Sequence, residues 1–479
     1  MNPEMYLEIE KKYDLYHAAS NDVNYWVYYR FNLWNHVICG ERLGLSVAKS
    51  SGRGKKNLFK MFLNFLRPNR IPLKTDILFF DHERRLKSGK YYECIYTDDL
   101  NKRFNRTATL EIPFQSKHFV PTKTPNLIFY DRISFSSAIY RRLFKLLCPT
   151  KYRAIQEEIR SKVMPALHEI KESYGCIFSD EEQIDSMVNY AIRLPFEKKA
   201  IRRLLTRLSP RLVVVVVSYG RNKMLFVETA KELGIPVIEL QHGTMHEEHI
   251  AYHYAKGEQI MQFPDKLFLF SDFWKRKIQV PIPDSSLIPV GYPYYEKQAG
   301  NYRNHQRKDK RYTVLFITQK TIGSYLADLA VELYRLLPES DYRIIFKLHP
   351  AESENWNATY PDLENTGIEV ITGNSESVYY YFAESDMQIG VYSTAIYEGL
   401  GFNLKTLILK VGHYEVMQDL VNAGYASFIE SADDVLKAIH SHDKRENDAG
   451  EFWKTNALNN IVAEIHKIDP QIILTAAIE

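Results

Sequence analysis

The stretch RLVVVVVSYGRNKMLFVETAKELGIPVIELQHG, residues 211–243, decides the fold. Its five consecutive valines, Val213 to Val217, are β-branched and wholly apolar, as a central strand of a parallel sheet covered on both faces must be. Ser218-Tyr219-Gly220 then turns the chain, NKMLFVETAKELG reads as a helix that stops at Gly234, and IPVIEL reads as the next strand. The right-handed crossover of such a β-α-β unit places both strand ends on one side of the sheet. In doubly wound domains ligands bind outside those carboxyl ends. Here the ends carry Tyr219 and Gly220 after one strand and Gln241-His242-Gly243 after the other.

Working outward, TDILFF (75–80) and TPNLIFYD (124–131) read as further buried strands, and residues 136–199 as mostly helical. The section before Lys74 is helical and aromatic, with Trp26, Tyr29, Leu33 and Val37 on one face. Downstream, PDKLFLFSDFWKRKI and SSLIPVGYP complete a first series of strands and helices. The polar run 295–312 has no apolar period and suits a linker. A second series follows: TVLFITQK, RIIFKLHP, IEVITG, MQIGVYS and KTLILK are strands, with helices around 325–337, 377–385 and from Thr394. From Glu430 the chain reads as helical. The expected fold is α/β, with two Rossmann-like domains facing each other across a cleft. Residues 1–295 form an N-terminal domain with a helical extension, and residues 296–479 form a C-terminal domain with closing helices.

The 479 residues carry 62 Lys and Arg against 59 Asp and Glu, a net charge of +3 that argues against nucleic acid as a partner. Cys39, Cys94, Cys148 and Cys176 are scattered, with no CxxC pair, and read as reduced thiols. The N-terminus lacks the apolar core of a signal peptide, and no run approaches the roughly 18 apolar residues of a spanning helix, so a cytoplasmic protein is expected. KKNLFKMFLNFLRPNR, Lys55 to Arg70, interleaves Phe and Leu with Lys and Arg. It suits either an anionic membrane surface or packing on its own domain.

His242 is the candidate base. Its imidazole titrates near neutrality and can take a proton from an attacking hydroxyl, with Gly243 beside it allowing close approach and Glu247 near in sequence. A histidine in a tight turn can equally serve only the backbone. His246-Glu247-Glu248-His249 lacks the HExxH spacing, so no metal is assigned. In the second series His349, before Pro350, can donate to a phosphate oxygen. Ser393 and Thr394 open a helix whose first-turn N–H groups favour anions, or they serve as a plain N-cap. Glu398 lies one turn on and can accept from ribose hydroxyls; Gln319, Lys320 and Lys347 complete the candidate donor set. Tyr219, Gly220, Gln241, Gly243 and Glu247 are the acceptor-side candidates.

These motifs carry a resemblance. VGYP, TVLFITQK, KLHP and YSTAIYEGLGFNLKTLIL, over Leu287 to Val435, resemble the donor-binding domain of GT-B glycosyltransferases. QHG in the first half with HP and Ser-Thr in the second is similar to bacterial surface-polysaccharide transferases: CDP-glycerol glycerophosphotransferases of teichoic acid synthesis and bacterial sialyl- and polysialyltransferases. The resemblance implies a GT-B fold and a metal-independent transfer with no cofactor. The co-substrate would be a nucleotide-activated sugar, with a cytidine nucleotide favoured, and the acceptor an oligosaccharide or lipid-linked glycan. It implies His242 as base and His349, Ser393 and Thr394 on the donor phosphate. The acidic element of the sialyltransferases is missing. A UDP-N-acetylhexosamine 2-epimerase-like enzyme and a non-catalytic, membrane-associated scaffold are the rival readings.

Overall fold

In a computed structural model of the chain, the described residues are 3–42, 63–66, 72, 74–83, 85–114, 117–349, 352, 355–373, 376–441 and 449–475. Most of the Lys55–Arg70 stretch, and Pro350, lie outside them. The chain divides into two compact units. The first takes residues 1–270, 275–290 and 456–479, and the second takes 271–274 and 291–455.

The first unit is built on a seven-stranded sheet of order β5-β4-β1-β6-β7-β8-β9. Its strands are β1 (Ile77–Phe80), β4 (Thr107–Glu111), β5 (Leu127–Phe129), β6 (Leu212–Val216), β7 (Val237–Leu240), β8 (Lys266–Leu269) and β9 (Leu287–Pro289). A small hairpin, β2 (Leu86–Ser88) and β3 (Tyr91–Glu93), stands apart. Every pairing in the large sheet is parallel. The valine run is its centre, with all five residues of β6 buried. The fifth valine is not in the strand: Val217 turns to φ 62° and ends it.

Helices α1 (Pro3–Lys12), α2 (Tyr25–Asn32), α3 (Asp131–Leu147), α4 (Pro149–Tyr174), α5 (Asp180–Leu208) and α6 (Arg221–Glu232) belong to this unit. Ser179 caps α5 by accepting from Glu182 N at 3.3 Å, with Asp180, Glu181 and Glu182 in its first turn. Pro195 interrupts α5, and lacking an N–H it leaves the Ala191 carbonyl without its helical donor. Asn21 Nδ2 fills that place at 2.8 Å. After α2 the chain runs on as a π-helix, Leu33–Ile38.

The second unit holds a six-stranded parallel sheet of order β12-β11-β10-β13-β14-β15. Its strands are β10 (Tyr312–Ile317), β11 (Tyr342–Lys347), β12 (Glu369–Ile371), β13 (Met387–Gly390), β14 (Lys405–Leu409) and β15 (Ser427–Ile429). Helix α7 (Gly323–Leu336) buries Leu326, Leu329, Ala330 and Leu333 with Val314, Phe316, Ile344 and Phe346 of the sheet. That i, i+3, i+4, i+7 spacing is one helical face. The short helix α8 (Thr394–Leu400) follows β13.

The expected fold class, two Rossmann-like parallel domains, is what the structure has. Two boundaries differ from the sequence reading. Residues 293–302 are helical rather than linker: Pro293 supplies the pre-set φ of a first helical position, and Tyr295 stacks on Trp453 with centroids 4.4 Å apart. The terminal helix α9 (Ala457–Ile468), placed with the second domain by its position, belongs to the first unit. Ile461 and Ile465, one turn apart, bury against Ile77, Phe79, Val214 and Val216, and each fully buried isoleucine is worth about 1.5–3 kcal/mol.

Candidate active site

Renumbered along the chain, the first sheet runs 3-2-1-4-5-6-7 and the second 3-2-1-4-5-6, an order in which the ligand crevice falls where the strand sequence reverses. In the first unit that point lies between β1 and β6. Asp81-His82 leaves β1, Val217-Ser218-Tyr219 leaves β6, and Gln241-His242-Gly243 leaves the adjacent β7.

His242 is partly buried. Its Nε2 lies 3.2 Å from Tyr219 Oη, and its buried Nδ1 has no hydrogen-bond partner. The ring centroid is 6.1 Å from that of His82, and Tyr96 Oη donates to the His242 carbonyl at 2.6 Å. Burial, and then the like charges of His82, His249 and Lys223, hold its pKa well below the usual imidazole value. At neutral pH it is an uncharged imidazole, the form that accepts a proton.

The loops around it are pinned from below. Buried Glu239 in β7 accepts from Ser218 N at 3.0 Å, Ser218 Oγ at 2.6 Å and Tyr252 Oη at 2.8 Å. Those bonds hold a turn in which a β-branched residue, Val217, sits in the left-handed region, a conformation costing of order 1–3 kcal/mol. Lys223 in α6 donates to Asp81 O at 2.8 Å and to Val216 O, tying together the two strands that flank the reversal. Arg30, paired with Glu10, donates to Ile250 O at 2.7 Å and His253 O at 2.8 Å, while Trp34 Nε1 donates to Glu248 O at 3.0 Å. The N-terminal helices thus hold the loop that carries His249, whose ring stacks on Phe31 and meets Tyr219 edge-on.

The acceptor-side candidates separate. Tyr219 is at His242. Gly220 caps α6, and a Cβ there would meet nothing within 4 Å. Gln241 is structural rather than available: its Oε1 accepts from Phe270 N and its Nε2 donates to Gly243 O, both at 2.8 Å. Glu247 is exposed and gives His242 no carboxylate partner. His82 was missed because its place beside His242 depends on β1 lying next to β6, which no local pattern states.

In the second unit the reversal lies between β10 and β13. Thr321 Oγ1 and Tyr392 Oη join the two loops at 2.8 Å. Gln319 Oε1 is buried without a partner, and Lys320 is exposed. Glu352, also absent from the candidates, organises the loop after β11. It accepts from Thr318 Oγ1 at 2.8 Å, from His349 N at 3.0 Å and from Tyr360 Oη. Gly323 lies so close to Tyr360 and Glu352 that no Cβ fits. Lys347 is buried and one of its three ammonium N–H groups donates to Gly373 O at 2.7 Å. Ser393 serves as the N-cap of α8, accepting from Ala395 N at 3.2 Å, with Thr394 next to it. Burial pushes the Glu398 carboxyl up to about 7 against the opposing hydrogen bond from Tyr379.

Sheets of this order make each unit a doubly wound α/β domain with polar strand-end loops at its reversal point. No family model and no curated protein matches the chain. Solved structures do. A UDP-GlcNAc 2-epimerase from Methanocaldococcus jannaschii matches at 12% identity and a TM-score of 0.49, over 82% of this chain and 99% of that one. A UDP-GlcNAc 2-epimerase from Neisseria meningitidis bound to UDP-GlcNAc matches at 11% and 0.46, over 82% and 100%. The wall teichoic acid polymerase TagF matches at 13% and 0.43, over 93% and 98%.

Proposed function

We propose that the chain is a GT-B transferase that moves a sugar or polyol-phosphate unit from a nucleotide-activated donor to a bacterial surface polysaccharide or glycolipid. The observation that carries this reading is a neutral, under-partnered histidine, His242, at the reversal point of the first sheet. In this reading His242 takes the proton of the acceptor hydroxyl, and Tyr219 Oη orients the ring. The donor belongs to the second unit, with its phosphates at His349, Ser393, Thr394 and Lys320, the Gln319 amide nearby and Glu398 on the ribose. Lys347 belongs to the same set: its ammonium has three N–H donors, of which Gly373 O takes one. Fixed donors aimed at a departing phosphate lower the barrier without reorganising during the reaction. The proposed transfer needs no metal, and a cytidine nucleotide is the favoured donor base.

The test is a thermal-shift panel of CMP, CDP, UDP, GDP and ADP on wild type and His349→Ala. A ligand bound only by the folded state raises the melting temperature. Selective stabilisation by one nucleotide, lost in the variant, supports the donor site. No shift at millimolar concentrations rejects it.

One observation favours the epimerase reading. Asp81, Glu111 and Asp131 gather at the ends of β1, β4 and β5, and burial pushes Asp81 up to about 7. These carboxylates are already engaged: Arg85 Nη2 lies 2.5 Å from Asp81 Oδ2 and 3.1 Å from Glu111 Oε2, and His118 bridges Glu111 and Asp131 at 2.5 and 2.8 Å. We therefore rank this reading second. Turnover of a UDP-sugar to its C2 epimer without acceptor would reverse the order.

A further inference from the structure

Helix α3 turns an apolar stripe to solvent. Ile139, Leu143, Leu146 and Leu147 are 44%, 48%, 74% and 76% exposed, and their i, i+4, i+7, i+8 spacing puts them on one face. Other positions hold the helix down: Ser137 Oγ donates to Glu197 Oε1 at 2.5 Å, and Tyr140, at the edge of the stripe, stacks on Phe196 with centroids 4.7 Å apart. Single exposed apolar residues are ordinary; four on one face of one helix mark an interaction surface. Leu63 and Leu66, 49% and 55% exposed, extend it. Between them Phe65 packs on Phe135 of α3 at 5.1 Å, and Arg132 Nε donates to Phe65 O at 3.2 Å.

Charge narrows the partner. From Arg132 to Gln156 the chain carries Arg132, Arg141, Arg142, Lys145, Lys151 and Arg153, and no Asp or Glu. Arg142, Lys145, Lys151 and Arg153 are exposed. Two copies of such a face repel each other, which weighs against self-association. An anionic bilayer complements it: the leucines enter the boundary between headgroups and acyl chains while the cations meet lipid phosphates. We propose that the solvent face of α3, extended by Leu63 and Leu66, docks on an anionic membrane surface. The contact is thereby centred on α3, to which the Lys55–Arg70 run contributes Leu63 and Leu66, and it stands whether or not the chain is a transferase.

The experiment is co-sedimentation of the full chain with phosphatidylcholine vesicles, with and without phosphatidylglycerol. Leu143→Asp/Leu147→Asp and Arg142→Glu/Lys145→Glu are compared with wild type, and melting curves confirm that both variants fold. A fluorophore on exposed Cys148, one residue past the stripe, reports the local environment. Wild type should bind phosphatidylglycerol vesicles at least ~10-fold more tightly than neutral ones, and each variant should lose at least ~10-fold. The Cys148 probe should shift to the blue only with anionic vesicles. Failure of wild type to sediment, or wild-type binding by both variants, overturns the proposal. So does a dimer of wild type that the leucine variant dissociates.

Discussion

The two reversal points share a topology and differ in how their polar side chains are used. Each is stiffened by one carboxylate that collects three donors: Glu239 for the turn after β6, Glu352 for the loops after β10 and β11. In the first unit those tasks fall to residues beneath the crevice and to Gln241, while one ring nitrogen of His242 stays unpartnered and burial holds its pKa low. In the second, two of the residues expected to meet a ligand, Lys347 and Ser393, also hold the fold. Strand order locates a ligand site, and the hydrogen-bond ledger then says which side chains remain to serve it.

The largest expected effect separates chemistry from binding. His242→Ala should lower turnover by ~10²–10⁴-fold, the range for removing a general base, with nucleotide stabilisation of the protein unchanged. A variant that loses both would erase the distinction between the two crevices. Next come the two carboxylates. Glu239→Ala leaves Ser218 and Tyr252 donors buried without partners, at ~1–3 kcal/mol each, so denaturant unfolding should show a loss of at least ~2 kcal/mol. Glu352→Ala should lower stability too, and should weaken nucleotide binding through the His349 loop, which Glu239→Ala should not.

A pH comparison sharpens the account of the first unit. Burial lowers the His118 pKa, but hydrogen bonds to Asp131 and Glu111 outweigh it and raise the value overall. A histidine raised on folding contributes its full stability below the unfolded value of ~6.5 and loses it as pH climbs through the folded value. His118→Asn should therefore destabilise more at pH 6 than at pH 9, as read from paired melting curves. In the second unit Glu398 should accept ribose hydroxyls best once ionised. Nucleotide affinity should then rise by several-fold as pH passes about 7, and Glu398→Gln should flatten that rise. The smallest effect is Ser393→Ala, about 1 kcal/mol of stability for a lost N-cap.

Much of the fold was legible because buried parallel strands are apolar throughout: Ile77–Phe80, the valine run and TVLFI announce themselves. Strand β4 did not. Thr107 and Thr109 look polar in TATLE, yet both are buried on hydrogen bonds to Asn101. The helix at Pro293–Tyr302 was hidden by charges on its exposed face, and the placement of α9 by the distance along the chain to the strands it covers. Of the site, the strand-end motifs were readable. Which members also hold loops and caps was not, because that depends on loops meeting in space: Gln241 Oε1 accepts from Phe270 N, and Lys347 donates to Gly373 O. His82 and Glu352 were invisible for the same reason.

The central claim is that His242 stands neutral and able to accept a proton at the first reversal point. An NMR titration of protein labelled at histidine Cε1, with His242→Gln assigning the signal, tests it most directly. The account predicts a midpoint well below 6.5 and a signal perturbed by Tyr219→Phe. A midpoint at or above 6.5 would contradict it.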